Sequence, residues 1–325
     1  MRAPYFWYKP TSFWAKILRP FGRLYGASVA YRFRHAKPYQ ANIPVICVGN
    51  LSVGGTGKTP VCLALGQILT EMKVPFYFLN HGYKSKKHSV NVNLEQTSAL
   101  DVGDEALLLA ELAPTVVDSH RARGAQLIQR HKAKAIIMDD GFQNPSLIKT
   151  LSFLVVDGKT GFGNGLMIPA GPLREPVKEG LKRADGVILV GRDETGATET
   201  IRTLAPEMPI LTGQFVPNKD TIKKLQGQQV TAFAGIGRPS KFFDMLTGYG
   251  IPVARKTSFP DHYFYTRFDV EQLLSDAGNL PLLTTKKDFV KIPPDLRSRL
   301  TVIEGDFVFD DPTQVEALIE GVLNT

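Results

Sequence analysis

A glycine-rich loop that directly follows an apolar run constrains the fold of this chain more than any other feature. The run spans residues 43–48, and the loop reads Gly54-Gly55-Thr56-Gly57-Lys58-Thr59. Glycines let successive backbone N–H groups converge on an anion, and a helix that begins there adds the partial positive charge of its N-terminus. Lys58 can then reach the β- and γ-phosphates, and the hydroxyl of Thr59 can bind Mg²⁺. The pattern predicts a strand, a phosphate-binding loop and a helix, with a plain glycine turn as the alternative.

The loop departs from the P-loop formula at one position. The formula Gly-x-x-x-x-Gly-Lys-Ser/Thr has glycine where this chain has Ser52. Gly54 and Gly55 can supply the backbone freedom that is lost there, and the order of strand, loop and helix is the one that the formula requires. We therefore keep the prediction of phosphate binding.

Short apolar, β-branched runs recur along the chain, each followed by a stretch that suits a helix. They span residues 43–48, 74–79, 115–117, 135–138, 153–156 and 187–190, and, after a break at 206–220, residues 230–234, 251–254, 280–284 and 301–303. This alternation predicts an α/β fold of the P-loop NTPase type, with a mostly parallel sheet and helices on both faces. We place a boundary near residue 210, between a phosphate-binding domain (39–210) and a smaller α/β domain (211–325).

Acidic residues and one distant histidine are the other candidates for a site. Asp139 and Asp140 end an apolar run, at the edge where parallel sheets bind ligands, and a carboxylate there could hold Mg²⁺. Either one could instead be a turn residue before Gly141. Asp104 opens an apolar helical run, where the pattern alone indicates a helix N-cap. His262 falls in the second domain, and a lone histidine is more often structural.

Positive charge is concentrated at the N-terminus. The formal net charge is +8, yet nine basic residues precede Glu71, the first acidic residue, and the rest of the chain is nearly neutral. The two cysteines, Cys47 and Cys62, have no metal-ligand spacing, and we expect buried free thiols.

The N-terminal segment, residues 1–38, interleaves these charges with aromatic side chains. One predicted helical face carries Trp14, Ile17, Leu18, Phe21, Leu24 and Tyr25, and another carries Lys16, Arg19 and Arg23. We expect Pro20 to kink this helix. Such a helix suits the boundary between acyl chains and anionic head groups, and the alternative is a helix that packs its aromatic face on the protein body. No uncharged stretch approaches the ~20 residues that span a bilayer.

Taken together, these residues resemble the tetraacyldisaccharide 4′-kinases, the lipid A 4′-kinases of Gram-negative bacteria. The resemblance extends along nearly the whole chain through an ordered series of motifs at 48–50, 54–60, 103–105, 139–143, 162–165, 169–175, 234–237, 261–262, and Thr285 with 287–288. It implies transfer of the γ-phosphoryl group of ATP, with Mg²⁺, to the 4′-hydroxyl of an acylated glucosamine disaccharide 1-phosphate. It also implies a peripheral position on the cytoplasmic face of the inner membrane, where the acceptor lies in the inner leaflet. We expect a monomer and no nucleic-acid partner.

The resemblance also assigns roles to individual residues. The residues matching Asp104 and His262 form a dyad that deprotonates the acceptor hydroxyl, with Asp104 as the base. Glu105 supports the magnesium or the dyad, and Arg121 stabilises charge on the transferred group. Thr59, Asp139 and Asp140 are the expected Mg²⁺ ligands, and the loop from Gly54 to Thr59 holds the phosphates. Because the dyad spans the two predicted domains, we expect domain closure to complete the site.

Two departures from the family pattern and two rival functions remain. The chain has Asn80-His81-Gly82-Tyr83 where the family usually has Ser-Arg-Gly-Tyr, and histidine lacks the permanent charge of arginine. It has Thr285-Lys286-Lys287-Asp288 where the family usually has Thr-Glu-Lys-Asp. One rival is a membrane-associated nucleotide switch, either a GTPase or a partitioning ATPase; the latter carries a lysine where this chain has Val53. The other is a non-catalytic lipid- or anion-binding module. This alternative assigns no role to Asp139, Asp140 or Lys58.

Overall fold

The computed structural model describes residues 4–9 and 12–324. Part of the predicted N-terminal segment, including Arg2, therefore lies outside the described residues, as does Thr325. The strands of the described chain are Val45–Gly49 (β1), Phe76–Asn80 (β2), Val90–Asn91 (β3), Thr115–Val117 (β4), Ala135–Asp139 (β5), Leu151–Asp157 (β6), Gly186–Val190 (β7), Ile210–Pro217 (β8), Val230–Ala234 (β9), Val253–Ser258 (β10), Leu282–Thr285 (β11), Thr301–Ile303 (β12) and Gly305–Phe309 (β13).

The helices alternate with these strands, as the sequence pattern predicts. They are Phe13–His35 (α1), Lys58–Glu71 (α2), Ala99–Val102 (α3), Asp104–Ala110 (α4), Arg121–Ile128 (α5), Val177–Leu181 (α6), Ala197–Leu204 (α7), Lys219–Leu225 (α8), Pro239–Gly248 (α9), Arg267–Ala277 (α10), Lys286–Phe289 (α11) and Pro312–Leu323 (α12). Two 3₁₀ helices, Tyr5–Tyr8 and Pro294–Arg299, complete the set in the described residues.

The strands form two sheets. A nine-stranded sheet has the order β13-β8-β7-β6-β1-β5-β2-β4-β3, and it is parallel except for the two outermost pairs, which are antiparallel. A parallel four-stranded sheet has the order β10-β9-β11-β12. In the large sheet Val48 of β1 pairs with Asp139 of β5, so the loop after β1 and the acidic end of β5 reach the same edge. The predicted α/β class with a mostly parallel sheet is confirmed.

The passage from one sheet to the other differs from the expected boundary near residue 210. Residue 210 begins β8, which pairs with β7 in the large sheet, and β13 returns to that sheet from the C-terminal part of the chain. The Pro- and Gly-containing stretch suggested a linker, but Gly213 is required there because a Cβ would lie 2.5 Å from the carbonyl oxygen of Val308 on β13. The chain therefore enters the small sheet after Pro217, and its last strand and helix belong to the large one.

Helices cover both faces of the large sheet, and the core is correspondingly divided. Residues of β1 pack with α2 and α12 on one face and with α5, α6 and α7 on the other. Cys62 belongs to the part of the core under α2 and α12, and Cys47 belongs to the part on the opposite face. Both are buried and free, as predicted. Burial raises the pKa of the Cys47 thiol to about 12, so this group is an apolar core residue rather than a reactive one.

The N-terminal helix α1 contacts the body through small residues. The buried positions are Ala15, Gly22, Gly26 and Val29, and Gly22 approaches Met167 so closely that a Cβ would lie 2.8 Å from its carbonyl oxygen. The predicted aromatic face, by contrast, is exposed at Trp14, Ile17, Phe21 and Leu24 and half-buried at Leu18 and Tyr25. The alternative in which this face packs on the body is therefore wrong. The helix also runs through Pro20 as one element. Among the described residues, no helix combines the length and apolarity needed to cross a membrane.

Candidate active site

A cleft of about 1770 Å³ separates the edge of the large sheet from the loops of the small one. The glycine-rich loop, Asp139 and Asp140 line one wall, and residues 236–238 with His262 line the other. The cleft extends to Trp7 and Arg32 of the N-terminal segment. Nearly all the residues that the sequence singled out meet here, although they come from distant parts of the chain.

The glycine-rich loop has the backbone of an anion nest. Gly54 and Gly57 have φ values of 125° and 98°, which side chains other than glycine rarely adopt, and Lys58 begins α2 directly after Gly57. The buried amide of Asn50 donates to the Thr56 hydroxyl over 3.1 Å and to the Ser52 carbonyl over 2.7 Å. Asn50 therefore fixes the loop, a role that the sequence analysis did not assign.

Asp139 has the environment of a metal ligand. Its Oδ2 accepts from the Thr59 hydroxyl over 3.1 Å and from Asn80 over 3.3 Å, while its buried Oδ1 has no partner among the described residues. Burial first, and then the nearby charge of Glu105, raise the pKa of Asp139 to about 7. A carboxylate oxygen left unpaired at a phosphate-binding loop is the donor that a hard divalent cation requires. Thr59 and Asp139 therefore fit Mg²⁺.

Asp140 is held between two cations instead. Its carboxylate lies 3.7 Å from Lys58 Nζ and accepts from Arg174 over 3.0 Å. Burial acts against ionisation, but Lys58 and Arg174 outweigh it and lower the pKa of Asp140 to about 2. Asp140 also has a positive φ of 49°, which is uncommon for a residue other than glycine. Arg174 belongs to the motif at 169–175, but its contact with Asp140 could not be predicted from the sequence.

His262 and Asp104 form a hydrogen-bonded pair across the two sheets. His262 Nδ1 lies 3.0 Å from Oδ1 and 3.1 Å from Oδ2 of Asp104. Because a carboxylate can only accept, Nδ1 carries the proton in this pair, and Nε2, on the other side of the ring, lies 3.7 Å from Oδ2 of Asp261. His262 lines the cleft, has a φ of 55°, and packs against the Tyr83 ring at 4.9 Å between ring centroids. A histidine held at a positive φ by a buried carboxylate and an aromatic ring is typical of an active site.

Asp104 is buried behind this histidine. It is the first residue of α4, and the N-cap position predicted for it belongs to Gly103. Its Oδ1 accepts from the Glu105 N–H over 2.9 Å, and its Oδ2 lies 3.4 Å from Lys291 Nζ. Burial opposes its ionisation, but Lys287, the hydrogen bond from His262 and Lys291 together hold the pKa of Asp104 well below its usual value. The residue is therefore a carboxylate with every oxygen engaged.

Glu105 and Arg121 both form contacts within the protein. Glu105 is paired with a lysine, and Arg121 binds backbone carbonyl oxygens. Glu105 accepts from Lys287 Nζ over 2.8 Å, and this ammonium outweighs burial and lowers the pKa of Glu105. Arg121 is buried and donates to the carbonyl oxygens of Asp139 over 2.8 Å and of Asp140 over 3.3 Å. Its guanidinium therefore lies under the acidic turn formed by Asp139 and Asp140, and its N–H donors bind backbone oxygens.

His81 lines the cleft near this turn. Burial and the charge of Arg121 lower the pKa of His81, so it does not supply the positive charge of the arginine that is usual in the family.

A second contact across the cleft involves Asp157. Asp157, buried at the end of β6, accepts from Arg238 over 2.7 Å and from Lys241 over 3.0 Å. The adjoining glycine of the small domain, Gly237, lies against Gly55 of the glycine-rich loop, since a Cβ on Gly237 would lie 2.6 Å from the Gly55 nitrogen. The small sheet thus contacts the loop directly.

A parallel α/β sheet with an anion nest, a lysine, a threonine and a carboxylate at its edge defines a P-loop phosphotransferase. Comparison with known proteins identifies which one. A family model for tetraacyldisaccharide-1-P 4′-kinase matches residues 14–324. The chain is 45% identical to the tetraacyldisaccharide 4′-kinase of Rhodospirillum rubrum, over 99% of this chain and 98% of that protein.

Two further matches agree with this. The tetraacyldisaccharide 4′-kinase of Gluconobacter oxydans is 44% identical over 98% of this chain and 97% of that protein. A crystal structure of the "apo" form of LpxK from Aquifex aeolicus in complex with ATP matches with a TM-score of 0.75 and 27% identity, over 95% of this chain and 99% of that chain. The chain belongs to the tetraacyldisaccharide 4′-kinase family, as its motifs indicate.

Proposed function

We propose that the residues of this cleft divide the work of the family's reaction as follows. The protein is an ATP-dependent kinase that transfers the γ-phosphoryl group to the 4′-hydroxyl of tetraacyldisaccharide 1-phosphate, giving the 4′-phosphorylated lipid A precursor, lipid IVA. The observation that carries the assignment of roles is the hydrogen bond between His262 and Asp104 on the wall opposite Lys58 and Asp139. A proton acceptor facing a phosphate-binding loop is what transfer to a hydroxyl requires.

The loop side of the cleft binds the nucleotide. The N–H groups of Gly54 to Thr59 surround the β-phosphate, and Lys58 neutralises charge on the β- and γ-phosphates. Thr59 and Asp139 would hold Mg²⁺, with Asp140 behind them fixing Lys58. When bound, Mg²⁺ withdraws charge from the phosphate oxygens. Arg121 fixes the backbone of the acidic turn. Its buried positive charge also stabilises negative charge on the transferred phosphoryl group.

The opposite wall accepts the proton. As the 4′-oxygen bonds to the γ-phosphorus, the bond from that phosphorus to the β,γ-bridging oxygen breaks and ADP leaves. The hydroxyl proton passes to the dyad, and the geometry favours Nε2 of His262 as the atom that receives it, with Asp104 stabilising the resulting imidazolium. This arrangement differs from the expectation that Asp104 itself takes the proton. It supports the expectation of a dyad that is complete only when the two sheets are together, which also excludes water from the phosphates.

The N-terminal helix α1 provides a reason for the protein to be at a membrane. Its exposed aromatic face and the exposed Lys16, Arg19 and Arg23 suit the acyl boundary and the anionic head groups of the inner leaflet. We propose peripheral binding to the cytoplasmic face of the inner membrane, where an acceptor with four acyl chains stays in the bilayer. One chain supplies the loop, the metal ligands and the dyad, so we also propose that the monomer is the active form.

Regiochemistry and nucleotide choice test the proposal. With Mg²⁺ and ATP, the purified protein in detergent should convert tetraacyldisaccharide 1-phosphate to a product in which phosphorus–proton correlation NMR couples the new phosphorus to H4′. An acceptor whose 4′-oxygen is methylated should not react. A GTPase switch would instead prefer GTP and hydrolyse it at the same rate with either acceptor. Product with the phosphate at another carbon would contradict the proposal.

A further inference from the structure

A buried ion pair lies directly behind the dyad. Lys291 Nζ is 3.0 Å from Asp288 Oδ1, and neither side chain has solvent exposure. The same ammonium is 3.4 Å from Oδ2 of Asp104. Lys291 follows α11 in the small domain, whereas Asp104 begins α4 beside the large sheet, so this contact crosses between the two. None of the roles assigned above uses Lys291 or Asp288.

Asp288 is fixed by the small domain from several directions. It accepts from the Gly235 N–H over 3.0 Å, from the Tyr265 hydroxyl over 2.9 Å and from the Thr285 hydroxyl over 2.8 Å. The carbonyl oxygen of Gly235 in turn accepts from the N–H of His262 over 3.2 Å. The segment that carries the histidine and the ammonium that contacts the carboxylate are therefore anchored at one buried point.

Lys291 completes the set of contacts that fixes the Asp104 carboxylate. Oδ1 accepts from the Glu105 N–H, and both oxygens face His262 Nδ1. Among the described residues, Oδ2 contacts Lys291 in addition to His262. Without this ammonium the carboxylate would be held mainly through Oδ1, and its hydrogen bond to the imidazole would be less well directed.

We propose that Lys291 is a positioning residue for phosphoryl transfer: it holds Asp104 in the orientation that fixes His262, and it joins this carboxylate to the Asp288 anchor of the small domain. The inference rests on the proposed roles of Asp104 and His262. Lys287 also acts on Asp104 through its charge, but its ammonium is 2.8 Å from Glu105 and it lines the cleft, whereas Lys291 is buried against Asp104 itself.

The first variant is Lys291→Met, which keeps the length of the side chain and removes its charge. Because misplacing a reacting group by about 1 Å can cost about 10²-fold in rate, we expect kcat for transfer to fall about 10- to 100-fold. We expect KM for ATP to stay within about twofold, because the described contacts of Lys291 do not include the glycine-rich loop. A large rise in KM for ATP with an unchanged kcat would contradict the proposal.

Two companion variants separate positioning from folding. Lys291→Met leaves Asp288 as a buried, unpaired charge, which is strongly destabilising; adding Asp288→Asn removes that charge and keeps an oxygen that can accept from Gly235. The double variant should regain thermal stability but not kcat. Lys286→Met is the matched control, because Lys286 begins the helix α11 that Lys291 follows and also forms an ion pair with a residue beside the large sheet, Glu111. It should keep wild-type kcat. Recovery of kcat together with stability would contradict positioning.

The decisive readout is the effect of Lys291→Met in a His262→Ala background. If Lys291 acts through the dyad, its removal should cost less than about twofold once the histidine is gone, because residues that act as a unit are not additive. A structural role would lower kcat by the same factor in both backgrounds and would overturn the inference. An inactive wild-type protein, or wild-type activity in His262→Ala, would instead overturn the proposed function or the dyad on which the inference rests.

Discussion

His262 Nδ1 lies 3.0 Å from Asp104 Oδ1, although the two residues are 158 positions apart in the chain and lie on different domains, Asp104 on helix α4 beside the large sheet and His262 in the loop after β10 of the small one. The histidine lines the cleft and the carboxylate is buried behind it. In the proposed function this order puts the imidazole between the carboxylate and the acceptor, so we expect removal of either member to abolish the action of the pair.

Removing the carboxylate tests this unit. Asp104→Ala should lower kcat by about 10²-fold or more, the range for loss of general base catalysis, while the Kd for ATP stays close to wild type because the glycine-rich loop is untouched. Asp104→Asn is the matched control for size, and it should be nearly as inactive because an amide cannot stabilise the imidazolium. The measurement is single-turnover transfer, with ATP binding followed separately. Unchanged turnover in Asp104→Ala would rule out the assignment.

Magnesium binding should be linked to a proton on Asp139. Its folded-state pKa of about 7 lies above the ordinary value of 3.8, so the folded protein keeps a proton that the unfolded chain loses. Without metal, the contribution of Asp139 to stability therefore falls as pH rises from about 4 to about 7. Because a metal ligand must be ionised, Mg²⁺ binding should release close to one proton at about pH 6 and almost none at about pH 8.

Calorimetry in two buffers of different ionisation enthalpy measures this release. In Asp139→Asn the proton release should vanish, and Mg²⁺ should bind more weakly. Release of a proton that survives in Asp139→Asn would show that another group titrates.

The cross-cleft pair of Asp157 with Arg238 and Lys241 should hold the small domain against the glycine-rich loop. Asp157 is buried, so Asp157→Asn should weaken this contact and increase hydrogen exchange at residues 235–241 in the presence of Mg²⁺ and ATP. Lys159→Ala is the control, since its pair with Asp244 spans the same gap but is exposed on both sides and should contribute little. Equal protection in Asp157→Asn and wild type would contradict this.

The exposed face of α1 should determine membrane binding. Trp14→Ser and Phe21→Ser each remove an exposed aromatic ring, and burial of such a side chain contributes roughly 1.5–3 kcal/mol. Each should therefore lower flotation with anionic vesicles about tenfold or more, and both should leave transfer to a detergent-dispersed acceptor unchanged. Phe268→Ser, an equally exposed ring on α10, is the control that should not affect flotation. Undiminished flotation of the helix variants would refute this role.

The parts of the site that the sequence predicts are those set by neighbours along the chain. The glycine-rich loop and Asp139 could be placed because each directly follows an apolar strand, and parallel strands end at a common edge. The β8 strand could not, since its proline and glycine resemble a linker, and its partner β13 lies almost ninety residues further on. Lys291 gave no signal for a similar reason: its contact with Asp104 exists only after the small sheet has folded against the large one.

Transfer of label from ATP to lipid tests the central claim most directly. The protein would be incubated in detergent with Mg²⁺, γ-labelled ATP and tetraacyldisaccharide 1-phosphate, and the label followed into the lipid phase, with Lys58→Ala as the control. We expect labelled lipid from the wild type and none above background from the variant. Nucleotide hydrolysis without labelled lipid, with an acceptor that a known 4′-kinase phosphorylates, would contradict the account.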